Sequence, residues 1–538
     1  MKNRFSLWIV IVGAALLMSA STDDAFETSK QLEVFTAVLK QVQTSYVEDV
    51  GAEQAVGSAI KGMLKELDPY TVYYPEDQIE DVRLLQTGEY GGIGCIIQKI
   101  ERAIYISDLN NIGPAKKAGI QVGDILKKVD DTKIGDFSIS EVSSLLKGTP
   151  DSEVKVVIER GGNELDFVFN RANIKTKAVP FYGMRKDGIG YLYLDGFTAS
   201  AASEVRNALL ELKKEDPKGI IFDLRGNGGG LLMAAVKIVS YFSDTKDTIV
   251  STRGRSGKIQ DVYYKTGKSL FTDLPLAVLV DERSASASEI VAGAIQDLDR
   301  GVVLGQKSFG KGLVQQIRQL PFGAQMKVTV AKYYTPSGRC IQKVNYNRDE
   351  NGKRTAKAAQ QQFATHNGRP VVDGDGVHPD STLTDEYYPE FVAAMGAKGL
   401  DLKFAATVLK EMETAEPESF ILSDSQWNNF EGFLKTNDFT FESLGERRLK
   451  KLSEATAQLD YLENEDIAIL LDKVKERKGL VLQDQHIEIK EYLEDFLVQK
   501  HFGIEGTLAR GLQNDIQINT AASILLNEDT MNELLGVK

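Results

Sequence analysis

The chain has 538 residues, 42% hydrophobic and 26% charged, with 64 Lys and Arg against 77 Asp and Glu for a net charge of -13. At ~100 to 200 residues per domain it is too long for one core; its composition excludes wholesale disorder, and its acidic balance excludes the basic surface that nucleic-acid binding needs. Two cysteines, Cys95 and Cys340, and four scattered histidines leave no cluster at metal-ligand spacing, so neither a zinc site nor a disulfide framework is expected.

Residues 1–21 have the layout of a signal peptide: Lys2 and Arg4 precede the apolar run FSLWIVIVGAALLM, and Ser19, Ala20 and Ser21 follow, with cleavage after Ser21. Export to the periplasm or cell envelope is the expectation; an uncleaved segment would instead tether the chain to a membrane. From 22 to 85 the spacing of Leu32, Phe35, Val38, Leu39 and Val42, then of Ala55, Ile60, Met63 and Leu64, predicts a helical N-terminal region. Pro69 and Pro75 end it.

From 86 to 174 short β-rich runs alternate with glycines: GCIIQKI, AIYISDL, ILKKVDD, EVKVVIER and LDFVFNR, with one helical stretch, SISEVSSLLKG. The runs GGIGCII and GPAKKAGIQVGDILKKVDD resemble the carboxylate-binding loop and the best-marked segment of PDZ domains. That resemblance implies a peptide-binding module that takes up an extended tail at a sheet edge and its terminal carboxylate on the loop Gly92, Ile93, Gly94 and Cys95. Cys95 stands where a bulky apolar residue is usual.

From 175 to 385 the order of GIGYLYLDGF, AASEVRNALLELKKED, GIIFDLRG, GGLLMAAVKIVSYF, LAVLVDE, SASEIVAGAIQDLDR and VVLGQ alternates strand and helix. It predicts one α/β domain with parallel strands, interrupted by an exposed polar insertion from about Asn345 to Pro370. From 386 to 538 the pattern is helical, a C-terminal region of unknown role that could serve a homo-oligomer.

The strand LAVLV runs into the small residues Ser284 to Ser286, and a helix is expected to start near Ser288, capped by that hydroxyl. A serine at such a turn lies beside the positive end of a helix dipole, where a developing oxyanion is favoured, so Ser286 is placed like a nucleophile. None of the histidines stands in a triad setting. Lys311 is the alternative base: Gly310 and Gly312 allow close backbone approach, and strand alternation puts Lys311, Leu313 and Gln315 on one face. Acting as a base requires its pKa to fall from ~10.4 to about 7 or 8, at ~1.4 kcal/mol per unit. DLRGNGGG lacks the ending of a nucleotide P-loop and reads instead as half of an oxyanion hole, with N–H groups from Gly228 or Gly229 joined by that of Ala287.

The segments SASASEIVAGAIQD, GKGLVQQ, DLRGNGGGLL, YYTPSGRCIQ and DGDGVHPD, in this order and spacing, closely resemble the C-terminal processing peptidases, or tail-specific proteases. The resemblance implies a multidomain α/β and β architecture, with a crotonase/ClpP-like α/β serine protease domain, a PDZ-like module and helical N- and C-terminal regions. It further implies Ser286 as nucleophile, Lys311 as general base, Gln315 in support and Asp297 as a further supporting candidate. The expected function is exported serine endopeptidase action, through a Ser286/Lys311 dyad and an acyl-enzyme, on proteins whose free C-terminal tail the PDZ-like module takes up, a chemistry that needs no metal or organic cofactor. A catalytically silent PDZ adaptor and a crotonase-like thioester enzyme are the alternatives.

Overall fold

The computed structural model describes residues 25–537 apart from 347, 349–352, 354, 356–358, 385–388, 413–415 and 456–463. The segment expected to be a signal peptide lies outside the described residues. Among those described, no helix is long and apolar enough to cross a membrane. The chain divides into two compact units, one of residues through Pro75 with Gln315–Thr329, the other of the remainder.

In the smaller unit, helices over 25–45 and Ala52–Lys65 precede the strand Val72–Tyr74, which pairs antiparallel with Gln325–Lys327. The Asp68 carboxylate accepts the N–H groups of Tyr70 and Thr71 at 2.8 Å, fixing the turn around Pro69. The helical period is as expected, yet Phe26, Leu32, Phe35 and Val38 are exposed.

In the larger unit, the strands Cys95–Ile100, Ala103–Leu109, Ile125–Val129, Glu153–Arg160 and Asn163–Asn170 form an antiparallel sheet in that order. The helix Ile139–Leu146 closes its core through Val142 and Leu146. A reciprocal cap starts that helix: Glu141 accepts the Ser138 N–H at 2.7 Å, and the Ser138 hydroxyl accepts that of Glu141 at 3.3 Å. Cys95–Ile100 lies at one edge of the sheet and Asn163–Asn170 at the other.

The central sheet holds β1 (Phe181–Met184), β2 (Ile189–Tyr193), β3 (Gly219–Asp223), β4 (Leu276–Val280), β5 (Val302–Gly305) and β6 (Ser381–Thr382) side by side in chain order. β1 is antiparallel to β2, and the remaining neighbours are parallel. Every residue of β2 through β5 is buried, which is why these strands read as unbroken apolar runs. Leu192, Phe222, Val278 and Val303 pack beneath Val205, Val236 and Val291 of helices α1 (Ala201–Lys214), α2 (Leu232–Phe242) and α3 (Ala287–Asp297). Their strand neighbours Tyr191, Ile221, Leu279 and Leu304 point the opposite way. They meet Ile518, Ala521 and Leu525 of α4 (Ile516–Leu525) and Met531 of α5 (Glu528–Leu535). The last helices of the 386–538 region thus form the second covering layer of the sheet.

The other C-terminal helices have their own core around Phe391, Phe404, Phe430, Leu493 and Leu497, and Leu402 packs on Ile100 and Tyr105 of the antiparallel sheet. The polar insertion is not wholly exposed. Gln362–Ala364 and Pro370–Val372 form a hairpin with Thr365 buried, and His366 donates its N–H to the Asp297 carbonyl at 2.8 Å.

Candidate active site

At the C-terminal end of β4, Asp281 organises a turn: its Oδ1 accepts the N–H groups of Arg283, Ser284 and Gly226 at 3.0, 2.9 and 2.9 Å. Ser284 is fully buried and spends its hydroxyl on the Leu224 carbonyl, 2.8 Å away, so it is not the exposed serine of the run. Ser286 is partly exposed and has φ 57° and ψ -111°, a conformation that costs a side-chain-bearing residue about 1–3 kcal/mol. The turn thereby sets Ser286 at the head of α3. The helix begins at Ala287, with Ser286 rather than Ser288 at the cap position. The expected Ser288 cap does not form because its hydroxyl donates to the Asn227 carbonyl at 2.8 Å.

The glycine loop after β3 is bound to this turn by Asn227, whose side chain is fully buried. Its carbonyl also accepts the Ala285 N–H (3.0 Å), its Nδ2 donates to the Leu194 carbonyl (2.7 Å), and its Oδ1 accepts the Gly229 N–H (2.8 Å). Gly229 has φ 99°, and a Cβ there would lie 2.8 Å from Ser286 Cβ and 2.9 Å from the Ala287 nitrogen. With the Gly229 N–H taken by Asn227, those of Gly228 and Ala287 are without an acceptor among the described residues. Of the two glycine alternatives, the geometry favours Gly228 as a donor to an incoming oxygen.

Lys311 lies across the turn. Gly310 has φ 88°, and a Cβ on it would come within 2.6 Å of Lys343 Cβ; one on Gly312 would meet the Gln342 nitrogen at 2.8 Å. These contacts explain why glycine flanks the lysine on both sides. Glu289, fully buried on the first turn of α3, joins the segments. Its Oε2 accepts the N–H groups of Ser286 and Lys311 at 2.7 and 2.9 Å, and its Oε1 accepts the Ser308 hydroxyl and the Gly310 N–H at 2.6 and 2.7 Å. Burial pushes the Glu289 carboxyl up from its ordinary value, and the four donors pull it only part of the way back. The Tyr333 hydroxyl lies 3.0 Å from the Ser286 carbonyl and 2.8 Å from the Lys311 carbonyl and donates its proton between them. Burial holds that phenol well above its ordinary pKa.

The structure thus brings together Ser286, Ala287, Gly228, Gly229 and Lys311. Gln315 belongs to the smaller unit, where its amide donates to the Thr329 hydroxyl at 3.3 Å. Asp297 ends α3, about 16 Å from the serine at ~1.5 Å per residue. It is paired at 2.8 Å with Arg339, both side chains fully buried, and accepts the Ser337 N–H at 3.0 Å. Asp297 therefore anchors the YYTPSGRC turn. In the loop Gly92 to Cys95, Gly94 has φ 73°, the Ile93 and Gly94 carbonyls accept the N–H groups of Ala115 and Asn110 at 3.0 and 2.9 Å, and burial pushes the Cys95 thiol up to about 12. Both cysteines are free.

Three residues of the site escaped the sequence reading. Glu289 left a signal in the Ser-x-x-Glu spacing of a capping box, and Asn227 sits inside a motif read for its glycines. Tyr333 opens the YYTPSGRCIQ segment, but nothing in that segment gave its role, since its partners are remote in sequence.

Residues 188–352 match Peptidase family S41, 91–170 a PDZ domain, 391–525 the C-terminal helical domain of a probable PDZ-protease, and 14–78 the N-terminal domain of the activating protease CtpB. A carboxy-terminal-processing protease of Bartonella bacilliformis is 37% identical over 352 residues, covering 63% of this chain and 80% of that one. A probable CtpA-like serine protease of Staphylococcus haemolyticus is 33% identical over 331 residues, covering 61% and 66%. Among solved structures, a photosystem II D1 C-terminal processing protease is 29% identical and covers 65% of this chain and 86% of its own, but its TM-score of 0.39 carries no weight beside the sequence matches. With a relative 37% identical and covered to 80% of its length, the chain belongs to peptidase family S41, among the carboxy-terminal-processing serine proteases that carry a PDZ domain.

Proposed function

We propose that this protein is an exported endopeptidase that takes protein substrates by their free C-terminal tail and cuts them with a Ser286/Lys311 dyad. The supporting observation is that one carboxylate oxygen of Glu289 accepts the backbone N–H groups of both residues. Lys311, uncharged, accepts the hydroxyl proton as Ser286 Oγ attacks the substrate carbonyl, and the Gly228 and Ala287 N–H groups receive the oxyanion. Collapse expels the amine, which takes the proton from Lys311. Water, deprotonated by Lys311, then attacks the acyl carbon, and Ser286 Oγ leaves with the proton returned by Lys311, restoring the neutral amine. The tail adds as a strand along the edge Cys95–Ile100 with its carboxylate at the Gly92 to Cys95 loop. Residues 1–21 serve export.

The test is cleavage of a tail-tagged, unfolded substrate by the wild type and by Ser286→Ala and Lys311→Ala. Both variants are expected to fold as the wild type does and to lose at least ~10⁴-fold in kcat. Appreciable cleavage by Ser286→Ala would end the assignment, and a silent adaptor would release no peptide even as the wild type.

A further inference from the structure

We propose that Glu289 and Tyr333 are positioning residues that hold Ser286 and Lys311 in reacting register by clamping their backbones together, a role that rests on the dyad reading above. The two segments come from different elements: Ser286 heads α3, while Lys311 precedes the strand Leu313–Gln319. A backbone hydrogen bond from the Phe309 N–H to the Ser284 carbonyl, 3.1 Å, joins the two segments two residues away from each; at Ser286 and Lys311 themselves the tie is made by two side chains that each reach both. Glu289 Oε2 accepts the two N–H groups, at 2.7 and 2.9 Å, and the Tyr333 hydroxyl meets the two carbonyls, at 3.0 and 2.8 Å.

Each residue thus has its N–H and its C=O tied to groups shared with the other. Both clamp side chains are almost wholly buried, so water cannot substitute for a lost bond. The same Glu289 bond helps to keep Ser286 at φ 57°. Ser308 and Gly310 fill the other oxygen of Glu289, so the carboxylate cannot rotate away without leaving donors unpaired. A misplacement of ~1 Å between reacting groups costs on the order of 100-fold in rate. The clamp therefore acts on the chemical step and leaves tail capture alone.

The experiment compares Tyr333→Phe and Glu289→Gln in the full chain, with Tyr241→Phe as a matched control. Tyr241 also donates its phenol proton to a backbone carbonyl, that of Ala202 at 3.0 Å, but between α1 and α2. Measured are kcat and KM on a tail-tagged substrate, the rate of covalent labelling by a serine-directed reagent, and the affinity for an isolated tail peptide. Tyr333→Phe is expected to lower kcat and labelling rate together by about 10- to 100-fold, with KM and peptide affinity within about threefold of wild type. Glu289→Gln is expected to lose more, because its amide places N–H groups against N–H donors. Tyr241→Phe should keep kcat within about threefold.

A folded Tyr333→Phe protein with wild-type kcat and labelling overturns the clamp. So does an equal loss in Tyr241→Phe, or a Tyr333→Phe chain that fails to fold, since either makes the phenol a matter of general stability. If Glu289→Gln does not fold, Tyr333→Phe decides alone. Activity remaining in Ser286→Ala would instead remove the dyad reading, so the two failures are distinct.

Discussion

Replacing Gly229 by alanine perturbs the junction between the glycine loop and the serine turn at one atom. The added Cβ would lie 2.6 Å from the Ala285 carbonyl oxygen, 2.8 Å from Ser286 Cβ and 2.9 Å from the Ala287 nitrogen, all tighter than normal contact. The residue also has φ 99°, which disfavours any L side chain by about 1–2 kcal/mol. The loop must back away by several tenths of an ångström, stretching the 2.8 Å bond from the Gly229 N–H to Asn227 Oδ1 and moving the neighbouring Gly228 N–H off its line. Loss of one oxyanion donor costs ~100- to 1000-fold in kcat, and that is the expected fall. KM should stay near wild type, and melting should drop by only ~1–2 °C, as befits ~1–2 kcal/mol in a chain this large. Gly228→Ala is the internal comparison: a Cβ there meets nothing within 4 Å and the backbone N–H is retained, so its loss should be at least ~10-fold smaller. Steady-state cleavage of a tail-tagged substrate with parallel melting curves measures both. Near-wild-type kcat in Gly229→Ala would refute the reasoning, as would equal losses in the two variants.

Asp515 accepts the N–H groups of Gln517 and Ile518 at the start of α4 and pairs with Arg225 of the glycine loop at 2.9 Å. Asp515→Ala should lower urea stability by about 2–4 kcal/mol and Asp515→Asn, which still caps, by less; equal stabilities would contradict this. Burial raises the phenols of Tyr191, Tyr193 and Tyr333 above their ordinary value. The folded protein then keeps protons that the unfolded chain sheds, so this contribution is whole below pH ~10 and is lost above it, by up to ~1.4 kcal/mol per pH unit for each tyrosine. Melting temperatures that stay flat through that range, or an unchanged slope in Tyr333→Phe, would exclude it. Amidating the C-terminus of a substrate removes the charge that the Gly92 to Cys95 loop is proposed to receive; KM should rise ~10- to 100-fold at constant kcat, and an unchanged KM would move tail recognition elsewhere.

Local chemistry made much of this site readable. A strand ending in small residues, a Ser-x-x-Glu spacing and a lysine between glycines each reflect a backbone demand, and at Gly310, Gly312 and Gly229 the crowding that imposes it is visible. The apolar runs of β2 to β5 announced strands buried on both faces, but which elements supplied the second face was hidden. α4 and α5 lie more than a hundred residues beyond β6, and their pattern says only that one side of each is apolar. The roles of Asn227 and Tyr333, both inside recognised segments, were hidden for the same reason, because their work lies in bonds to segments distant in the chain. Asp297 shows the converse: its place within a recognised motif suggested catalytic support, whereas its carboxylate is committed to buried Arg339 at the far end of α3.

The most direct trial of the dyad is peptide mapping after reaction with a serine-directed acylating or phosphonylating reagent, in wild type and Lys311→Ala at equal folded fraction. One modified peptide is expected in the wild type, with the added mass on Ser286, and it should disappear in Lys311→Ala. Modification of another serine, or undiminished labelling of Ser286 without the lysine, would contradict it.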